Sequence, residues 1–428
     1  MRLGQPLLRR KMARRALLEP GYAEAVNERF GHYSQPPESA SELVWLHAVS
    51  LGETRAAAVL LERLRAQDPG LRVLLTHGTA TGRAEGKTLL RPGDVQVWQP
   101  WDTRAVVSRF FTHFKPRLGV LMETEVWPCT VFGAQAREIP LVVCNGRLSE
   151  KSMQQALRLS PLALPAYAAL TAVYAQTDAD AQRYQHLSVQ SVQVFGNLKF
   201  DAAPDPQQLD TGRLWAQTAD RPVVVFASSR EGEEDLFIQK IKAVAQQIRA
   251  QAAPEKIAVR WLIVPRHPQR FDEVEALVLQ SGLMVSRRSG WTGSPFEDAQ
   301  AVGADVWLGD SLGEMALYYA LSHAALLGGS FAPLGGQNLI EAAAAGCPVV
   351  MGPHTFNFAQ AAQLAVTGGA AFAAQNMGRA VDAVLELAAD GPARAKASNA
   401  ALAFAAGHQG AAKRHADALA VYLKPSKV

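Results

Sequence analysis

Apolar, β-branched runs recur at 43–48, 72–76, 95–98, 118–122, 140–144, 172–176 and 192–195, separated by polar or helix-period segments. Short continuous apolar runs suit strands buried on both faces, and their alternation with helices predicts a parallel sheet. A polar stretch from Asp201 to Arg221, holding Pro204, Pro206 and Gly212, interrupts the pattern. The alternation resumes at 222–227, 260–264, 306–309, 324–327 and 348–351. The expected organisation is α/β: two doubly wound, Rossmann-like domains at 1–205 and 222–428, joined by a linker at 206–221. Beyond Gln375 the chain is Ala-rich, and Ala380, Val381, Ala383, Val384 and Leu387 recur at a helical period, predicting one or two closing helices. Open α/β sheets bind ligands outside the carboxyl ends of their strands, so function is expected where the two domains face a cleft.

Composition narrows the class without naming it. With 428 residues, 48% apolar and 19% charged, the chain is long enough for two cores and reads as a folded globular protein. The 43 Lys and Arg against 39 Asp and Glu leave a formal charge of +4, too near balance to argue for wholesale nucleic-acid binding, and no nucleic-acid partner is expected. The basic residues do cluster at the start: Arg2, Arg9, Arg10, Lys11, Arg14 and Arg15 alternate with Leu3, Leu7, Leu8, Met12, Leu17 and Leu18 before the first acid, Glu19. That pattern fits a helix on an anionic membrane surface, and equally a solvated terminal helix. There is no apolar run of about 18 residues and no secretory h-region, so the chain is expected to face the cytoplasm. Cys129, Cys144 and Cys347 form no C-x-x-C pair and suit reduced core thiols. No two histidines lie within four residues, so no helical zinc motif is present, and no metal or cofactor is expected.

Chemistry-bearing residues gather after the apolar runs. Ser50, Gly52 and Glu53 follow the first run; the glycine suggests a tight turn, and Glu53 at a helix start reads as a general base or as a cap. Glu123 and Glu125 follow another run, beside Trp127 and Pro128, and either orient an acceptor hydroxyl or cap a helix. Arg147 follows the run at 140–144 and is placed for an anion or for solvent. In the second half, Ser228 and Arg230 suggest an anion cradle at a helix start, or a simple serine N-cap. Arg266 and His267, fixed between two prolines, suit a phosphate or base contact. Leu312, Gly313 and Glu314 follow the run at 306–309, and glycines recur at 328–329 and 335–336. Asn338 and Glu341 lie three apart on one helix face, flanking Leu339 and Ile340, which suits ribose and phosphate recognition or structural capping of the helix.

Taken in order, HAVSLGE at 47–53, METEVWP at 122–128, NGRLS at 145–149, GNLKFD at 196–201, PRHP at 265–268, GDSLGE at 309–314 and GPHTFNF at 352–358 resemble the 3-deoxy-D-manno-octulosonic acid (Kdo) transferases. The resemblance implies a GT-B architecture and inverting transfer of Kdo from CMP-Kdo to the 6'-hydroxyl of a tetraacylated lipid A precursor, in lipopolysaccharide biosynthesis. It implies Glu53 as the base, substrate contacts from Ser50, Gly52, Glu123, Arg147, Ser228 and Arg230, and a CMP pocket formed by Arg266, His267, Leu312–Glu314 and Asn338–Glu341. It also implies peripheral attachment to the cytoplasmic face of the bacterial inner membrane, which gives the basic N-terminal segment a purpose. Rival readings are another sugar-nucleotide enzyme of this fold, such as a UDP-N-acetylglucosamine transferase or 2-epimerase, and a non-catalytic nucleotide-sugar-binding protein.

Overall fold

A computed structural model describes residues 5–38, 42–251 and 259–423. Each half of the alternation forms a seven-stranded parallel sheet. The first holds β1 (Leu43–His47), β2 (Arg72–His77), β3 (Val95–Trp98), β4 (Leu118–Met122), β5 (Leu141–Gly146), β6 (Ala172–Ala175) and β7 (Val192–Val194), in the order β3-β2-β1-β4-β5-β6-β7. The second holds β8 (Val223–Ser229), β9 (Arg260–Pro265), β10 (Val285–Arg287), β11 (Val306–Leu308), β12 (Ala324–Leu327), β13 (Val349–Met351) and β14 (Ala371–Ala373), in the order β10-β11-β9-β8-β12-β13-β14. β1 and β4 are buried along their whole length, because helices cover both faces of the sheet. Chain order reverses between β1 and β4, and again between β8 and β12. Such switch points open a crevice at the carboxyl edge of a sheet.

The chain divides into two compact units, Met1–Ala202 with His408–Val428, and Ala203–Gly407. This corrects the expected boundaries at both ends. The segment read as a linker is mostly a helix, Pro206–Gln217, whose first turn is capped by Asp205 accepting from Gln207 N at 2.9 Å. Pro206 starts the helix rather than breaking it, since the first helical N–H needs no partner. Gly212 lets that helix approach the helix Met315–Leu321, for a Cβ there would lie 2.6 Å from the Leu317 carbonyl. At the other end three helices follow Gln375, and the last, Ala411–Leu423, belongs to the first unit. Its Ala411, Ala412, Ala416 and Leu419 enter the core beneath the helix Leu51–Gln67, and the Asp201 carboxylate accepts from Gly410 N and Ala412 N.

The N-terminal helix, Gln5–Ala16, is anchored rather than free. Met12 is buried with Tyr22 and Trp98, Arg9 lies over Phe30 and bonds Asn27, and Arg15 lies over Tyr22. Arg10, Lys11, Arg14, Leu17 and Leu18 remain exposed. Arg2 and Leu3 of the basic cluster lie outside the described residues. No described helix is long and apolar enough to cross a membrane.

Candidate functional site

At the β1/β4 switch point two acidic motifs converge. Ser50 is the N-cap of the helix Leu51–Gln67, its hydroxyl oxygen accepting from Glu53 N. Glu53 reaches back: its carboxylate accepts from Val49 N at 2.8 Å and from the Ser50 hydroxyl at 3.0 Å. This reciprocal capping box holds the carboxylate in one orientation. Gly52 sits inside the helix's first turn and makes no tight turn, which corrects that expectation; a Cβ there would meet only open space. Burial raises the Glu53 pKa to about 7, helped by the negative charges of Glu123 and Glu125 and opposed by the bonds from Val49 and Ser50. His47, which opens the same motif, is buried and bonded to Thr76, and burial keeps it neutral by lowering its pKa to about 3.

Glu123 follows β4 in the left-handed region, with φ of 58°. It is held there because its N–H donates to Cys144 O and its carbonyl accepts from the Tyr184 hydroxyl at 2.8 Å. A non-glycine residue in this conformation is strained and persists only where its surroundings over-determine it. Its carboxylate pairs with Lys199 at 3.5 Å. Glu125 is raised by burial and by Glu123, while the Trp127 indole donates to it at 2.6 Å. Arg147 is exposed, and its guanidinium pairs with no carboxylate among the described residues.

Lys199 was not singled out by sequence reasoning, although the GNLKFD motif contains it. A chain of amides, two of them buried, positions it: Asn145 Oδ1 accepts from Leu198 N, Gln176 Nε2 donates to Asn145 O, and the half-buried Asn197 donates to Gln176 Oε1. His415 supports the chain from the last helix. Its Nε2 accepts from Asn145 N at 3.0 Å and its Nδ1 meets Ala411 O at 2.8 Å, so the neutral ring must carry its proton on Nδ1. Burial, lowering its pKa to about 4, keeps that tautomer neutral.

In the second unit the carboxyl ends of β11, β9, β8, β12 and β13 share one edge of the parallel sheet. Ser228, next to last in β8, has φ of 55° at a register shift, and Gly328 packs so closely against its carbonyl that there is no room for a Cβ. The adjacent β9 brings Arg266 and His267 to the same place as Arg230. Burial, then the charges of Arg230, Arg266 and Arg270, push the His267 imidazole below its ordinary value. This is a cationic strand edge suited to an anion.

The expected backbone cradle after β8 is, however, already filled. Glu233, 1% exposed, accepts from Arg230 N, Gly329 N, Phe331 N and Ala332 N at 2.7–3.1 Å. Ser229 donates to buried Glu234, which also meets Arg270 at 3.3 Å. A phosphate at this edge would therefore rely on the side chains of Arg230, Arg266 and His267.

Leu312 is exposed, Gly313 has φ of 81°, and the Glu314 carboxylate is taken by Arg288 at 2.9 Å and the Ser311 hydroxyl. Asn338 caps the helix Leu339–Ala344, its Oδ1 accepting from Ile340 N, and its Nδ2 donates to the Glu341 carboxylate at 3.0 Å. Leu339 and Ile340 are 1% exposed, so their side chains are core and only their main chain could meet a ligand. Among the described residues no group of three His, Cys, Asp or Glu could hold a metal ion.

The family model described as 3-deoxy-D-manno-octulosonic-acid transferase (kdotransferase) matches residues 24–202. The chain is 45% identical over 425 residues to the 3-deoxy-D-manno-octulosonic acid transferase of Bordetella pertussis, spanning 98% of this chain and 96% of the relative. It is 30% identical over 430 residues to the Haemophilus influenzae enzyme of that name, again spanning 98% and 96%. Among solved structures, the UDP-GlcNAc 2-epimerase of Neisseria meningitidis aligns with 89% of this chain and 100% of its own at a TM-score of 0.57, but only 14% identity. That likeness is one of fold, and the paired seven-stranded sheets are the GT-B architecture. Matching these relatives at 45% and 30% identity over nearly its whole length, the chain belongs to the 3-deoxy-D-manno-octulosonic acid transferase family.

Proposed function

We propose that the chain transfers Kdo from CMP-Kdo to the 6'-hydroxyl of a tetraacylated lipid A precursor with inversion, and that Glu53 is the general base. The observation that carries this is the Glu53 carboxylate itself. It stands at a switch-point crevice, oriented by Val49 N and Ser50, with a pKa lifted to about 7 by burial and by Glu123 and Glu125. A base poised near the working pH both exists in its ionised form and accepts a proton readily. In the proposed step Glu53 takes the acceptor hydroxyl proton, the freed oxygen bonds to the anomeric carbon of Kdo, and the bond to the CMP phosphate breaks with its electron pair leaving on CMP. The cations Arg230 and Arg266 neutralise that phosphate, His267 adds a donor, and Asn338–Glu341 contacts the ribose. Gly52, Ser50, Arg147 and Ser228 serve the sugar substrates.

The acceptor is a membrane glycolipid, and the exposed Arg10, Lys11 and Arg14 beside Leu17 and Leu18 suit docking to the anionic cytoplasmic face of the inner membrane. Incubation with CMP-Kdo and tetraacylated lipid A precursor, followed by mass spectrometry, should show the acceptor gaining the mass of Kdo; an unchanged acceptor refutes the assignment. Comparing CMP with UDP in a binding titration separates this reading from that of a UDP-sugar enzyme.

The Lys199–Glu123 pair gives a further expectation. Lys199→Met leaves Glu123 without its cation, so the negative field at Glu53 grows and its carboxyl holds its proton to higher pH. The rising limb of kcat/KM against pH should move to higher pH, with activity at pH 7 reduced roughly two- to fivefold and largely recovered in more alkaline buffer. A uniform loss at every pH would show that Lys199 acts in some other way.

A further inference from the structure

The second unit holds a cavity of about 320 Å³ on the edge of its sheet opposite the one carrying Arg266. Ser322 and His323 line it just before β12 begins, and Pro348 lines it just before β13. Its other walls come from Arg213, on the helix that opens the unit, and Arg394, on the helix Gly391–Gly407 that closes it. In a parallel sheet the amino ends of all strands lie on one edge, so this cavity cannot share residues with the glycine-rich carboxyl ends at Gly328 and Gly352.

Every polar side chain just named is a hydrogen-bond donor. Arg213 and Arg394 are always charged, and among the described residues no Asp or Glu lines the cavity. Among the described residues the ion pair of Arg213 is a long one, to the exposed Asp210 at 3.7 Å, and Arg394 spends one nitrogen on Ala388 O. His323 Nδ1 accepts from Val223 N at 3.1 Å, which places the neutral ring's proton on Nε2 as a donor. The buried Ser322 hydroxyl has no hydrogen-bond partner among the described residues. A buried polar group left unpaired is destabilising, and an acceptor arriving in the cavity would relieve it.

We propose that this cavity binds a small polyanion bearing phosphate or carboxylate groups, separately from the residues assigned to Kdo transfer. Two guanidiniums, a hydroxyl and an imidazole N–H converge on a space sized for a small ligand, and none of them offers an acid to compete with it. The proposal does not depend on the identity of the donor or the acceptor.

Calorimetric titration of the full chain with inorganic pyrophosphate, and separately with citrate, at constant ionic strength tests it. At least one anion should bind saturably to one site that survives Arg266→Ala. Arg213→Gln, at a half-exposed position on a helix surface, and Arg394→Gln should each weaken that binding about tenfold or more. The tighter of the two anions identifies the ligand as phosphate-bearing or as a carboxylate. Absence of saturable binding by both anions overturns the proposal, as does binding that Arg213→Gln leaves intact or that Arg266→Ala removes.

Discussion

Glu53→Gln lowers the rate of Kdo transfer by about 10² to 10⁴, the usual contribution of a positioned general base, while the affinity for CMP stays within error. The amide keeps an acceptor for Val49 N, so the helix start survives and the loss reports on the proton, not on folding. Stability supplies an independent readout. The folded-state pKa of Glu53 is raised from 4.5 to about 7. The folded protein therefore holds this proton more tightly than the unfolded chain does, and the stabilisation is fully present below about pH 4.5 and lost as pH rises through about 7. At pH 8 the buried charge costs up to about 3 kcal/mol, so Glu53→Gln should be the more stable protein there, and the difference should vanish near pH 4. Chemical denaturation at the two pH values checks this. A variant that is inactive yet more stable at pH 8 marks Glu53 as a residue kept for chemistry. Unchanged turnover would reduce it to the helix cap that its bonds to Ser50 and Val49 also make it.

Much of the scaffold was legible because its signal is local. The strands at the centre of each sheet are continuous apolar runs, and every one of the twelve expected runs became a strand within a residue or two. The two strands missed, β10 and β14, are three-residue edge strands with partly exposed side chains, and V-S-R and A-F-A carry no pattern to find. The errors of domain assignment share a cause. Pro206 and Gly212 suggest chain breaks by their chemistry alone, whereas one starts a helix and the other makes room for a neighbouring helix. Nothing local could show that Ala411–Leu423 returns to the first unit, because that depends on the distant partners Asp201 and Asn145.

The candidate sites divide along the same line. Ser50 with Glu53 and Asn338 with Glu341 follow the three-residue capping spacing, so each could be found by pattern, and both proved to be bonded pairs. Lys199 could not, since its meaning comes from Glu123, far away in sequence just after β4, and from the amides that aim it. Glu233 was the least visible. A sequence Ser-Ser-Arg-Glu-Gly-Glu after a strand resembles an anion cradle, and only the fold shows that the anion in it is the chain's own.

Glu233→Ala should therefore be the most destabilising single change in the second unit. Its two carboxylate oxygens accept four main-chain N–H groups: Phe331 and Ala332 on one oxygen, Arg230 and Gly329 on the other. The side chain is 1% exposed and no cation pairs with it among the described residues; it opens the helix Glu233–Gln251, whose N-terminal dipole favours a negative charge. Alanine leaves four donors facing a hole. Each buried donor without a partner costs about 1–3 kcal/mol, and water entering the hole recovers part of this, so a net loss of about 4 kcal/mol or more is expected. Denaturant titration should show the unfolding transition of the second unit moving to markedly lower denaturant, while the near-ultraviolet signal of the first unit's Trp45 and Trp98 unfolds unchanged. Glu233→Gln should fall in between, because one oxygen still serves two donors while the amide nitrogen confronts the others. The loop 329–332 lies beside the Ser228 turn and leads to Asn338, so nucleotide affinity should fall with stability in both variants. If Glu233→Ala unfolds like the parent protein, the four N–H groups find other partners and the carboxylate does not hold β8 to β12.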